Sequence, residues 1–132
     1  MFELHKEIIR TIDEMNFGII DNGEQDGESY ITLERFTPAG EDWCPTIWFE
    51  GNEDFIEEVR TLYEDFDVDE EAEIYIENRG KNGVPSSIRV LINDAEWKEN
   101  ALLELAEELE KLDLEEEEEE NEWCWIRYYN YF

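Results

Sequence analysis

Ser29 to Glu50 reads SYITLERFTPAGEDWCPTIWFE, and the fold follows from how that stretch is parsed. Ile31, Leu33 and Arg35 alternate with Tyr30, Thr32, Glu34 and Phe36, the period of two that a half-buried strand requires. Pro38, Gly40 and Pro45 punctuate a connection. Thr46 to Phe49 resumes the strand, with Ile47 and Phe49 on one side and Thr46 and Trp48 on the other. Two strands folded back on each other, rich in aromatic and β-branched residues, can anchor a sheet for helices to cover.

Upstream, Leu4, Ile8, Ile9, Ile12 and Met15 form a helical stripe over residues 3–15. A short strand is expected over 17–20 and a turn over 21–28 (DNGEQDGE), where Asn-Gly and Asp-Gly pairs suit left-handed backbone. Downstream, Asn52 is read as the N-cap of a second helix, with Glu53 and Asp54 in its first turn and Phe55, Ile56, Val59, Leu62, Tyr63 and Phe66 as its buried face. Glu71 to Asn78 alternates again: Ala72, Ile74 and Ile76 against Glu73, Tyr75 and Glu77, which predicts another strand. After a loop over 80–85, Ser86 or Ser87 starts a long helical region carrying Ile88, Leu91, Ile92 and Ala95, then Leu102, Leu105, Ala106, Leu109 and Leu112. Asp94 could cap a fresh helix, so a break is expected near Asn93–Asp94.

The expected class is α+β. A small antiparallel sheet is covered on one face by helices, in the order α-β-β-β-α-β-α. Residues 1–114 make one domain, 115–121 an acidic linker, and 122–132 (EWCWIRYYNYF) an aromatic segment read as a final strand of the same domain.

Charge is the strongest compositional signal. The 132 residues hold 39 acids and 10 bases, a formal net charge of -29, while 41% of them are hydrophobic, which suits a globular domain. Two carboxylates about 6 Å apart in water repel by only about 0.7 kcal/mol, but dozens of pairs burden the compact state. Solubility alone needs a net charge of roughly 2 to 8 in a small domain. Nucleic acid and membrane surfaces are anionic and so poor direct partners; a basic protein surface is the complement. Halophilic adaptation is a competing explanation. Cys44 and Cys124 make neither a CxxC nor a disulfide framework, the N-terminus is too polar for a signal peptide, and a cytoplasmic protein with reduced thiols is expected.

The residues offer little for catalysis. His5 is the only histidine and sits beside the apolar stripe of the first helix. Neither acidic loop completes a calcium pattern: starting at Asn22, position 12 is Leu33, and starting at Asp65, it is Ile76. Carboxylate pairs are too abundant to be diagnostic, and no phosphate-cradling glycine loop is present. No catalytic residue, metal or cofactor is expected.

The arrangement of the acids says more. Residues 50–77 hold thirteen acids and one base, and 104–122 hold twelve acids and one base. Helix rows and alternate strand positions space carboxylates at roughly 6–7 Å, and arginine forks bind carboxylate as well as phosphate. The residues expected to meet a partner are Glu53, Asp54, Glu57, Glu58, Glu64, Asp65, Asp67, Asp69, Glu73, Tyr75, Glu77 and Trp97. Trp43, Tyr75 and Trp97 are candidate aromatic anchors, the two tryptophans being equally candidates for the core.

The run Arg35 to Trp43, RFTPAGEDW, followed by a strand and an acidic helix, resembles small acidic accessory proteins of phage and mobile elements, within the broad class of nucleic-acid-mimicking inhibitors that includes anti-CRISPR and antirestriction proteins. The resemblance implies a non-enzymatic inhibitor seated in the basic nucleic-acid groove of a nuclease, such as a Cas effector. The alternative expectation is an adaptor that binds a protein partner by strand addition or through its aromatic tail.

Overall fold

The computed structural model describes residues 4–81 and 83–114. The expected acidic linker over 115–121 and final strand over 122–132 lie outside the described residues. In chain order the elements are α1 (Lys6–Glu14), β1 (Gly18–Gln25), β2 (Glu28–Phe36), β3 (Asp42–Trp43), β4 (Thr46–Phe49), α2 (Asn52–Asp65), α3 (Val68–Ile76) and α4 (Ile88–Glu110). The fold is α+β with an antiparallel sheet, as its alternation patterns imply.

β2 is the central strand. β1 pairs with one side, from Gly18↔Glu34 to Gln25↔Glu28, and β4 with the other, from Ser29↔Phe49 to Thr32↔Thr46. The reading of the two strands within residues 29–50 therefore holds: Ile31, Leu33, Ile47 and Phe49 are buried, while Thr46 and Trp48 are exposed; the connection between them carries a short strand, β3, that pairs with the end of β2 and was not expected. The turn is tighter than the acidic run suggested. Only Asp26 and Gly27 lie between the strands, with φ of 53° and 87°, the two positive values that a two-residue type I′ turn demands. Asn22–Gly23 belongs to β1 instead.

Helices cover one face of the sheet. Ile8, Ile9 and Ile12 of α1, Phe55 and Val59 of α2, and Ala101, Leu105, Ala106 and Leu109 of α4 join Ile31, Leu33, Ile47 and Phe49 in one core. Phe49 and Phe55 meet edge to face at 5.2 Å. The end of α1 shows why the chain turns where it does. Asn16 takes φ of 68°, its N–H bonds Asp13 O at 2.9 Å, and Phe17 N–H bonds Ile12 O at 3.0 Å, a Schellman closure that drops Phe17 into the core. At the other end His5 is buried and serves as the N-cap: its Nδ1 accepts from Glu7 N, and its own N–H donates to Asn52 Oδ1 at 2.8 Å. Asn52 is thus not the cap of α2, which begins after Gly51; Asn52 ties two helix starts together.

Two expectations are corrected. Residues 71–78 are not a strand: Val68–Ile76 is helical. Asp67 caps it by accepting from Glu70 N at 3.1 Å, and Asp69, Glu70 and Glu71 fill the first turn where the helix dipole favours anions. At helical spacing Ala72 is buried and Ile74 is left exposed, so the alternation carried no burial pattern. Nor does the chain break at Asn93–Asp94. α4 runs unbroken from Ile88, capped by Ser87 Oγ, and Asp94 turns its side chain to another part of the fold instead of to its own helix. Ile88 and Ile92 are exposed, and the inward face is carried by Leu91, Asp94, Ala95, Lys98, Ala101, Leu102, Leu105, Ala106 and Leu109.

Candidate partner-binding surface

The described part of the second acidic segment, residues 104–114, lies beside the first in space. α2 packs beside α4. Glu53, Glu57, Glu64 and Asp65 are exposed on α2, and Glu104, Glu107 and Glu110 are exposed on α4. Arg60 marks where they meet: its Nε and Nη2 donate to Glu110 at 2.8 and 2.6 Å. These hydrogen bonds hold the guanidinium above its ordinary range against the opposing effect of burial, and the charges of Glu110, Glu64 and Glu107 add to them. One cation thus sits among acids from both segments. The same bonds draw the Glu110 carboxyl below its usual range.

A second concentration lies toward the start of α2. Burial raises the Glu58 carboxyl, and the charges of Asp54, Glu28 and Glu57 raise it further. The tip of the β1–β2 hairpin, through Glu28, therefore belongs to the acidic surface, which sequence reasoning did not include. Asp54 is half-buried and its Oδ2 accepts from Glu50 N at 2.7 Å. On α3, Asp67, Asp69, Glu73 and Glu77 are exposed, with Asp67 committed to its cap.

Tyr75 and Trp97 are not protruding anchors. Together with Trp43 they are half-buried around two cations. The Trp43 and Trp97 rings meet edge-on at 6.2 Å. Arg35 lies 4.7 Å over Trp97 and 5.3 Å over Phe17; Lys98 Nζ lies 4.7 Å over Tyr75 and 5.9 Å over Trp43. Lys98 is 1% exposed and is held by Glu41 at 2.7 Å and Glu71 at 2.5 Å, each 24% exposed. The Tyr75 hydroxyl donates to Glu41 Oε2. Burial first, then that bond and the charges of Glu41, Glu71 and Asp94, push the phenol well above its usual range.

A built loop delivers Glu41 to this cluster. Thr37 is buried, its N–H donates to Glu41 O, and its Oγ1 accepts from Glu41 N at 3.0 Å. Ala39 N–H donates to Asp94 Oδ1 at 3.0 Å, which is why Asp94 stays inside α4. The 39–41 loop, α3, the 83–85 loop and α4 line an open cavity of about 170 Å³. Glu41, Glu71 and Lys98 were not picked out from sequence, and Asp94 was read only as a helix cap. A signal existed for two of them: Asp94 and Lys98 share the helical register of Leu91, Ala95, Leu102 and Leu105.

Elsewhere Glu34, Asp42 and Cys44 bring two carboxylates and a thiol within 4.8 Å of one another on the exposed side of β2–β3. A hydrogen bond shared with Asp42 raises the Glu34 carboxyl, and burial raises the Cys44 thiol, so the sulfur is held away from thiolate. The uncovered face of the sheet carries Tyr30 and Trp48, whose rings are 4.9 Å apart, beside a Thr32–Thr46 hydroxyl hydrogen bond of 2.8 Å. Among the described residues, no helix is long and apolar enough to cross a membrane.

Comparison with protein-family models, with curated proteins and with solved structures finds no match.

Proposed function

We propose that the protein is a non-enzymatic acidic inhibitor that acts as a DNA mimic, occupying the basic nucleic-acid groove of a nuclease such as a Cas effector. The setting is the cytoplasm of a cell hosting a phage or mobile element. The observation that carries the reading is the meeting of the acids of α2 with those of α4, with Arg60 among Glu64, Glu107 and Glu110. A folded, fixed array of carboxylates loses less entropy on docking than a solvated acidic tail, and it offers arginine forks the charge they meet in phosphate. Four residues along a helix advance about 6 Å, so Glu53 and Glu57 sit at a spacing a lysine- and arginine-lined channel can engage. Competition binding tests it. A guide-loaded Cas nuclease or a restriction nuclease should release labelled duplex DNA as the protein is added, and a stable complex holding all three components contradicts the reading.

A second reading rests on Tyr30 and Trp48, which stand together on the sheet face that helices leave uncovered. In it the protein is an adaptor that takes a partner's strand along β4, with charge serving solubility. Trp48→Ala separates the two: it abolishes partner binding by an adaptor and leaves groove occupation by the α2–α4 surface intact.

A further inference from the structure

The face of the sheet turned away from the helices combines aromatic rings with charge of one sign. Gly23, Tyr30 and Trp48 lie directly opposite one another across β1, β2 and β4, so they share that face. A Cβ at Gly23 would stand 2.8–2.9 Å from Cε1, Cζ and the hydroxyl oxygen of Tyr30. The missing side chain lets the Tyr30 ring lean across β1, and Trp48 meets it from β4 with 4.9 Å between ring centroids. Trp48 is 40% exposed, and Phe36, opposite Asp42 at the far end of β2, is 64% exposed. By the same register Asp21, Glu34 and Asp42 stand on this face. Residues 18–49 contain one base, Arg35, and it is turned to the other side, over Phe17 and Trp97. Rings are thus offered to solvent among carboxylates, and the strands place no cation of their own beside them.

We propose that this open sheet face docks an arginine-bearing, extended basic segment of a partner protein, one guanidinium lying on the Tyr30–Trp48 rings and a neighbouring cation facing Glu34 and Asp42. Charge complementarity selects that occupant. Nucleic acid and anionic lipid would meet only carboxylates here, and a second copy of the chain would set Asp21, Glu34 and Asp42 against their like. A planar, weakly hydrated guanidinium stacks on tyrosine and tryptophan faces, whereas an ammonium is a compact, strongly hydrated point charge. Tyr30 and Glu34 are four residues apart on β2, about 13 Å, the reach between the first and fifth residues of an extended segment, whose side chains also share a face. The hydrogen bond that Glu34 shares with Asp42 raises its carboxyl, a crowding of like charge that a docked cation relieves. The proposal goes beyond both readings above: the contact is made by side chains on the face and not by the backbone of the β4 edge, and it stands whether or not α2 and α4 occupy a nuclease groove.

The test uses the full chain, isotope-labelled, at about 0.15 M salt so that diffuse attraction to the net charge is screened. It is titrated with the capped peptide Arg-Thr-Val-Thr-Arg and with versions carrying lysine or citrulline at both ends. The expected result is a saturable shift of the Trp48 indole N–H and of the Tyr30, Thr32 and Thr46 amides with the arginine peptide, weaker by about threefold with lysine and by about tenfold or more with uncharged citrulline. Trp48→Ala, read at Thr32 and Thr46, should weaken arginine binding by about fivefold. Glu34→Gln should weaken it by about threefold and keeps the test open should Trp48→Ala disturb the sheet. Equal binding of the citrulline peptide, shifts on the sheet no larger than those on α2, or no saturation up to about 20 mM each overturn the proposal. So do nuclear Overhauser contacts in the free protein from Tyr30 and Trp48 to the chain's own residues 122–132, or to a second, differently labelled copy, since the face is then already occupied. Peptide binding on this face without displacement of DNA from a nuclease would remove the inhibitor reading and leave this one standing; DNA displacement with no response here would do the opposite.

Discussion

Replacing Lys98 with methionine should be among the most damaging single changes in the molecule, and its repair should be equally informative. The side chain is 1% exposed, its Nζ sits 2.7 Å from Glu41 and 2.5 Å from Glu71, and two aromatic rings flank it. Methionine preserves most of the volume and removes the charge. Breaking a buried ion pair from one side costs about 3–5 kcal/mol. Glu41 and Glu71 remain 24% exposed and can recover some hydration, so the lower end, about 3 kcal/mol, is expected, with the lost cation–π contacts contained in that figure. For a domain of this size that is a fall of about 10 °C in Tm, read by urea and thermal unfolding. The triple variant Lys98→Met, Glu41→Gln, Glu71→Gln removes the stranded charges as well and should recover more than half of the loss. A loss below about 1 kcal/mol for Lys98→Met, or a triple variant no better than the single, would refute the view that this cluster holds α3 and the 37–41 loop to α4 electrostatically.

Other changes probe the rest of the fold. Gly23→Ala places a Cβ 2.8 Å from the Tyr30 ring; it should displace that ring from Trp48 and destabilise by about 1–2 kcal/mol, visible as a changed tryptophan emission, and an unchanged spectrum with unchanged stability would count against the packing described. Glu58 has its carboxyl raised in the folded state by burial and by Asp54, Glu28 and Glu57. The folded protein therefore binds this proton more readily than the unfolded chain, so this group's penalty is present near neutral pH and is relieved as pH falls through the raised value. Glu58→Gln should stabilise by about 0.5 kcal/mol at pH 7 and show no gain below the carboxylate range, and a destabilised Glu58→Gln at pH 7 would contradict that sign.

The hairpin was legible because Ile31, Leu33, Ile47 and Phe49 obey a strict alternation whose burial the structure repeats. The helical stripe of Ile8, Ile9 and Ile12 was legible for the same reason. Residues 68–76 misled because Ala72, Ile74 and Ile76 fit a period of two, while the contrary signal, an Asp67 cap followed by three acids, was a local one. Asp94 misled in the opposite direction: a good capping residue was used in a tertiary bond to Ala39 N, which no local pattern encodes. The aromatic cluster was hidden because it needs the 37–43 loop, α3 and α4 to converge, and Trp43, Tyr75 and Trp97 share no periodicity in the chain. The acidic surface was visible as composition, but its continuity across α2 and α4 depends on helix packing, and only Arg60 bonding Glu110 reveals it.

The most direct measurement is the salt dependence of nuclease binding by the protein and by a variant carrying Gln at Glu53, Glu57, Glu64, Glu104 and Glu107. Electrostatic mimicry predicts that affinity for a guide-loaded nuclease falls by more than about tenfold between roughly 50 and 500 mM salt, and that the variant binds more weakly with a flatter slope. Binding of the unaltered protein that is indifferent to salt over that range, or a variant that matches it, would contradict the claim that the α2–α4 carboxylates stand in for phosphate.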